Sequence, residues 1–157
     1  MIIRSATKED SQSITAVMVE AFQDFKHLYT IEAYNATVIS PEEVCSRIDE
    51  GPLWLAENEG KVLGTISLLV KAQEAYVRGM AVLPAAQGLG VGLALLRQAE
   101  AFALENNCQR LFLITTLYLD KAIRFYEQFG FVRMGKGEES FLGTPSFQME
   151  KVYGPSF

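Results

Sequence analysis

Apolar residues recur at helical spacing in four stretches of the chain and at strand-like spacing in most of the remainder. Ile14, Val17, Met18, Ala21 and Phe22 fall on one face, which predicts a helix over Lys8 to Phe22. Thr7 stands where a cap belongs, with Asp10 as the reachable acid. Ser40-Pro41-Glu42-Glu43 is a second helix start: a capping hydroxyl, a proline at the first helical position and acids in the first turn. That helix is expected to end near Glu50, ahead of Gly51-Pro52. Leu89, Leu93, Leu96 and Ala103, with Val91, Leu95 and Phe102 beside them, give a third helix a broad apolar face as far as Asn106-Asn107. Asp120 to Phe129 reads as a fourth, closed by Gly130.

Strands fill the intervals. Residues 2–5, Leu53 to Glu57, Val62 to Val70 and Ala75 to Leu83 carry strand patterns, with turns at Asn58-Glu59-Gly60-Lys61 and Gln73-Glu74. Arg110 to Thr115 is continuously apolar, as a strand covered on both faces should be. Phe131 to Met134 and Phe147 to Tyr153 are the last strands, with a Gly-rich loop between. The stretch 23–39, with Phe25, His27, Tyr29 and Tyr34, reads as a loop or short helix. The order βα(α)βββαβαββ predicts one α/β domain over residues 1–157: a central mixed sheet of six to seven strands with about four helices.

Composition narrows the function classes. The chain has 157 residues, 49% of them hydrophobic and 21% charged, with a net charge of −5. No basic stripe advertises nucleic acid, and the negative charge weakly favours a cationic substrate such as an amine. The two cysteines, Cys45 and Cys108, have no C-x-x-C spacing, and one histidine, His27, leaves no ligand set for a metal. The start M-I-I-R-S-A-T-K-E-D meets charge at once, and no apolar run approaches a membrane span. A cytoplasmic location, away from membranes, is the expectation.

Chemistry concentrates between Met80 and Leu96, M-A-V-L-P-A-A-Q-G-L-G-V-G-L-A-L-L. A dinucleotide fingerprint fails because Leu93 stands where its third glycine belongs. The run Gly130 to Gly137 resembles a Walker loop only until its eighth position, and no strand-to-helix step surrounds it. The remaining reading is a strand, then Gln87, Gly88, Gly90 and Gly92, then a helix. Glycines at a helix start let an anion reach the unpartnered N–H groups there, with the positive end of the helix dipole behind them. Packing of the helix on the sheet is the other use for these glycines, and the triplet alone does not choose between the two.

The neighbouring residues do. R78-G-M-A-V-L-P-A-A-Q-G-L-G-V-G-L-A-L-L resembles the acyl-CoA-binding motif of the GNAT N-acetyltransferase superfamily, with Gln87, Gly90 and Gly92 at its signature positions. A second segment, A122-I-R-F-Y-E-Q-F-G-F131, resembles the family's A-x-x-F-Y-x-x-x-G-F element in the right order. The resemblance implies a GNAT-like acyl-CoA N-acyltransferase fold. It implies acetyl-CoA as co-substrate, held in a V-shaped cleft between strands at Met80 to Val82 and Arg110 to Thr115. On this basis the backbone of Gln87, Gly88, Leu89, Gly90, Val91 and Gly92 holds the pyrophosphate. Met80, Ala81 and Val82 pair with the pantetheine arm, and Ala122 and Tyr126 complete the cofactor side. Tyr126 stands where a family tyrosine protonates the departing thiolate. Relatives carry a glutamate base where this chain has Tyr76. Glu74 is one alternative base, on the strand face of Tyr76, Arg78 and Met80 if the strand extends that far; His27 is another, and the absence of any dedicated base is the third reading. His27, Tyr29 and Tyr76 are assigned to the acceptor. Leu119 replaces an asparagine that contacts the CoA arm in relatives. The implied activity is acetyl transfer from acetyl-CoA to a primary amine by direct attack. The alternative is a non-catalytic acyl-CoA-binding module, and dimers are common enough among relatives to leave a homodimer open. Residues 23–39, the turn at Gln73-Glu74 and the loop 135–146 are expected to select the acceptor.

Overall fold

Side chains cap the starts of two helices, and a third starts instead from a glycine in the left-handed region. The computed structural model describes residues 1–135 and 139–154. Its elements are β1 (Ile2–Ser5), α1 (Ser11–Phe22), α2 (Ile31–Thr37), α3 (Pro41–Glu50), β2 (Leu53–Asn58), β3 (Lys61–Lys71), β4 (Glu74–Val82), α4 (Val91–Glu105), β5 (Arg110–Thr116), α5 (Asp120–Phe129), β6 (Val132–Arg133), β7 (Glu139–Phe141) and β8 (Thr144–Val152). Before α3, Ser40 Oγ accepts from the Glu43 N–H at 3.2 Å and the Ser40 N–H donates to Glu43 Oε1 at 3.3 Å. Before α2, Thr30 Oγ1 accepts from the Ala33 N–H at 3.1 Å. Caps of this kind stabilise a helix by ~1 kcal/mol. The residue before α4 is Gly90, in the left-handed region at φ +82, and no side chain caps that helix.

The sheet runs β1-β2-β3-β4-β5-β8-β6, with β7 paired to β8. Only β4 and β5 pair parallel among the described strands, and α4 makes the crossover that a parallel pair requires. Two small elements go beyond the expected six to seven strands and about four helices. The helix α2 lies in the stretch 23–39 and is too short, at seven residues, to show a period. The strand β7 has three residues inside the Gly-rich loop. The first helix also starts later than its apolar pattern, with a tight 3-10 turn over Lys8–Asp10. There the Asp10 carboxylate accepts from the Thr7 N–H at 2.8 Å and pairs with Arg4 at 2.9 Å. No helix among the described residues is long and apolar enough to cross a membrane.

Two helical layers cover the sheet. A Cβ placed on Gly64 would lie 3.0 Å from Val91 and Leu95, so α4 packs closely on one face. Met18 of α1 and Arg47 of α3 reach Gly79 on the other. Leu55, Ile66, Leu68, Leu111 and Met149 are buried between Leu95 and Leu96 of α4 and Ile14, Met18 and Val44 of α1 and α3.

Strand β4 carries the feature that shapes the site. Ser67 pairs with Arg78 and Thr65 with Ala81, so Gly79 and Met80 together oppose Ile66. That is a β-bulge, and Gly79 occupies it at φ +65. Cross-strand partners share a face. Tyr76 and Arg78 therefore stay with Ser67 on the α1 and α3 face, while Met80 and Val82 turn to the α4 face. The expected common face of Glu74, Tyr76, Arg78 and Met80 is thus corrected: the extra residue takes Met80 off it. Pairing with β5 is confined to Glu74–Arg110, Ala75–Leu111 and Tyr76–Phe112. The last rung is clamped by stacked Tyr76 and Phe112 rings, 5.0 Å apart and 7° from parallel. Beyond it β4 bends at the bulge and the strands part.

Candidate active site

The unpaired ends of β4 and β5 leave a gap through the sheet, with a different construction on each side. On the α4 side the walls are backbone. Gly88 and Gly90 have φ +81 and +82, and nothing lies within 4 Å of where their Cβ atoms would be. The N–H groups of Gln87 and Leu89 are used inside the turn, donating to the carbonyls of Pro84 at 3.3 Å and Ala86 at 3.4 Å. Those of Gly88, Gly90, Val91, Gly92 and Leu93 have no partner among the described residues. The unpartnered amides thus leave out Gln87 and Leu89 of the stretch Gln87 to Gly92 and run one residue further, to Leu93. At Gly92 a Cβ would make only ordinary contacts, 3.4 Å from Met80, 3.5 Å from Phe125 and 3.7 Å from Val82, so packing does not demand a glycine there.

Tyr126 sits where this backbone surface meets the gap. Its hydroxyl lies 3.6 Å from Met80 Sδ, and its ring meets Phe131 edge-on at 5.8 Å. Burial, with Tyr29 nearby, pushes the Tyr126 hydroxyl up to about 12. It is a protonated donor at neutral pH. Ala122 lies one turn earlier on α5 and is half-buried.

On the other side the walls are side chains. A cavity of about 300 Å³ opens there, bounded by Tyr29, Arg47, Tyr76, Arg78, Thr115 and Tyr126. Burial pushes the Tyr29 hydroxyl up. It does the same at Tyr76, where the Arg47 and Arg78 guanidinium groups pull the other way. Tyr29 and Tyr76 thus line the cavity as expected for acceptor residues, and Tyr126 joins them. His27 does not: it is exposed on the 3-10 stretch Gln23–Leu28 and lies outside the lining. Glu74 is also excluded. It is exposed at the start of β4, about 20 Å along the strand from Met80, with its carboxylate held by Arg110 Nε at 3.0 Å. No carboxylate or imidazole lines the cavity among the described residues. Of the loop 135–146, Phe141 reaches the cavity and residues 136–138 lie outside the described residues, as does the end of the Walker-like run.

Several lining residues, Arg78 among them, went unread as site residues in the sequence. Gly79 had a signal, since an isolated glycine in a strand pattern suggests a bulge. Arg47 had a weaker one: it lies three residues after buried Val44, on the same helix face. Thr115 and Thr116, at the end of an apolar strand, had none.

Residues 14–131 match the model of the Acetyltransferase (GNAT) family. With the split β4–β5 pair and the glycine turn at the start of α4, this establishes that the chain belongs to the GNAT acetyltransferase family. It is 31% identical over 103 residues to N-acetylaspartate synthetase of Danio rerio, covering 64% of this chain and 36% of that protein. It is 33% identical over 95 residues to probable N-acetyltransferase family 8 member 5 of Mus musculus, covering 57% and 42%. The chain thus spans about a third to a half of the length of these curated relatives. The crystal structure of the PaiA N-acetyltransferase from Thermoplasma acidophilum in complex with coenzyme A superposes with a TM-score of 0.83 at 21% identity, covering 97% of this chain and 98% of that one. The mixed α/β fold is therefore that of GNAT acetyltransferases.

Proposed function

We propose that the chain is an acetyl-CoA-dependent N-acetyltransferase that acetylates a primary amine by direct attack within a ternary complex. One observation carries this reading: five unpartnered backbone N–H groups stand at an uncapped helix start, beside an open strand edge that borders a gap through the sheet. The residues fit the co-substrate. Open space at Gly88 and Gly90 admits phosphate oxygens, and the amides of Gly88, Gly90, Val91, Gly92 and Leu93 are the donors for a pyrophosphate. The β4 edge at Met80, Ala81 and Val82 is free to pair with an extended amide arm, as a sheet edge takes up an added strand. Coenzyme A in the Thermoplasma acidophilum structure, on the same fold, supports the assignment.

Acetyl-CoA supplies the acyl carbon and a thiolate leaving group. The chain's part is placement and proton supply. The gap aligns the two reactants, which removes much of the entropic cost of a bimolecular step. The Tyr126 hydroxyl is the proton donor for the departing thiolate: burial keeps it protonated at neutral pH while making it a weaker acid, and the tyrosinate left behind is reprotonated from solvent. Amines have pKa values near ~10. With no base lining the cavity, the acceptor reacts as its free base and its proton leaves to solvent. Thiol release from acetyl-CoA over a panel of primary amines tests the reading. Turnover with at least one amine is expected; coenzyme A binding with no acetylated product from any amine would instead establish a non-catalytic acyl-CoA-binding module.

A further inference from the structure

We propose that the acceptor is a small primary amine bearing a carboxylate, and that Arg47 and Arg78 hold that carboxylate on the α1 and α3 side of the gap. This rests on the acetyl-transfer reading above. Four buried side-chain polar atoms among the described residues lack a hydrogen bond of good geometry: Arg47 Nη1, Arg78 Nε, Thr115 Oγ1 and Thr116 Oγ1, the last with the Tyr29 hydroxyl close by. All four belong to residues lining the same cavity. Buried polar groups are otherwise nearly always satisfied, so orphans gathered at one place mark a missing partner. Guanidinium nitrogens only donate, and hydroxyls donate as well as accept. The missing partner is an acceptor, and beside two cations it is an anion.

The charge count agrees. Arg78 Nη2 donates to Glu50 at 2.9 Å, while Arg47 has only the Ala36 carbonyl, at 3.5 Å. Among the described residues only one carboxylate, that of Glu50, is in direct contact with either guanidinium group, and burial together with the neighbouring Arg78 depresses the pKa of Arg47, against the weaker opposite pull of Tyr76, Glu50 and Glu43. Arg47 is half-buried with its Nη1 out of solvent, and a partly desolvated charge costs free energy unless something completes it. The backbone makes room for this arrangement. A Cβ on Gly79 would lie 2.7 Å from Arg47 Nη1, so the glycine in the bulge is what lets the guanidinium rest on the strand. A planar fork of donors is the usual partner of a carboxylate. The rest of the cavity suits the remainder of an amino acid. Phe22, Tyr29, Tyr76 and Phe141 offer apolar rings, and about 300 Å³ is at the small end for ligand cavities. The net charge of −5 argued weakly for a cationic substrate, yet the charges at the cavity itself are positive. A diamine would place a second ammonium against two guanidinium groups.

The test pairs each common L-amino acid with its α-carboxamide, which removes only the charge. Calorimetric titration into coenzyme A-loaded protein reads binding, and thiol release from acetyl-CoA reads transfer. At least one amino acid is expected to bind about tenfold or more tightly than its amide, with a matching ratio in kcat/KM. Arg47→Gln and Arg78→Gln should each bring the ratio toward one, and Arg47→Lys should restore part of it. Thermal denaturation checks that the variants fold, and the wild-type ratio needs no variant. Equal binding of acids and amides, or no binding of any amino acid, overturns the carboxylate site. Transfer to neutral amines alone overturns it while sparing the acetyltransferase reading. Carboxylate-dependent binding with no transfer to any amine does the reverse.

Discussion

The two sides of the gap between β4 and β5 are built from different materials. The α4 side presents backbone: five free N–H groups, an open strand edge and glycines with nothing in front of them. The α1 and α3 side presents side chains from α3, β4 and β5, with the bulge at Gly79 as floor. A backbone surface recognises a group common to every reaction of its class and tolerates change around it. A side-chain surface can be rewritten residue by residue, so under the proposed function the second side is the one that chooses the acceptor. The uncapped start of α4 makes the contrast plain beside α3, where Ser40 and Glu43 satisfy the corresponding amides.

The sharpest way to break this division is Gly90→Glu. The carboxylate would stand in the pyrophosphate space, where like charge costs several kcal/mol. Coenzyme A affinity by calorimetry should fall on the order of a thousandfold, with the fold retained by circular dichroism. Gly90→Ala carries the same backbone strain without the charge and should lose far less. Unchanged affinity in Gly90→Glu would remove the backbone side from the comparison.

Tyr126→Phe comes next, since it lies between the two sides. Loss of a general acid lowers kcat by about a hundredfold, and KM for acetyl-CoA should hold steady. Because Tyr126 is pushed up to about 12, its proton stays in place well above neutral pH. The pH profile of kcat/KM should therefore rise as the amine loses its proton and show no descending limb below about pH 11. A fall beginning near neutral pH would assign the acid elsewhere.

Gly79→Ala is expected to act on one side only. The new Cβ meets Arg47 Nη1 at 2.7 Å and must adopt φ +65. A stability loss of ~1–2 kcal/mol in urea unfolding and a roughly tenfold rise in acceptor KM are expected, with coenzyme A affinity close to wild type. A larger loss of coenzyme A than of acceptor would show that the bulge serves the backbone side. The smallest effects belong to Glu74→Gln and His27→Ala. Both residues are exposed and outside the cavity, so steady-state kcat should stay within about twofold of wild type.

The same division explains what could be read before the fold was known. The backbone side was legible because glycines are the residues its geometry demands: positive φ at Gly88 and Gly90 leaves few substitutes. The helix periods, the meander and the Ser40 capping box were legible for a similar local reason. The side-chain side was not. Arg47 and Arg78 lie on α3 and β4, and only the pairing of α3 with the bulge brings them together. The bulge also defeated face counting along β4, since one extra residue exchanges the faces of everything beyond it. Glu74 keeps the face of Tyr76 and Arg78 but lies too far along the strand, paired with Arg110, and His27 lies on a short 3-10 stretch that carries no period.

The backbone cradle can be observed directly by following amide resonances in a ¹⁵N-labelled sample as coenzyme A is added. The amides of Gly88, Gly90, Val91, Gly92 and Leu93, unpartnered in the free chain, should show the largest saturable shifts, moving downfield as they acquire an acceptor. Saturable binding that leaves those five in place and moves amides elsewhere would contradict a pyrophosphate site at the start of α4.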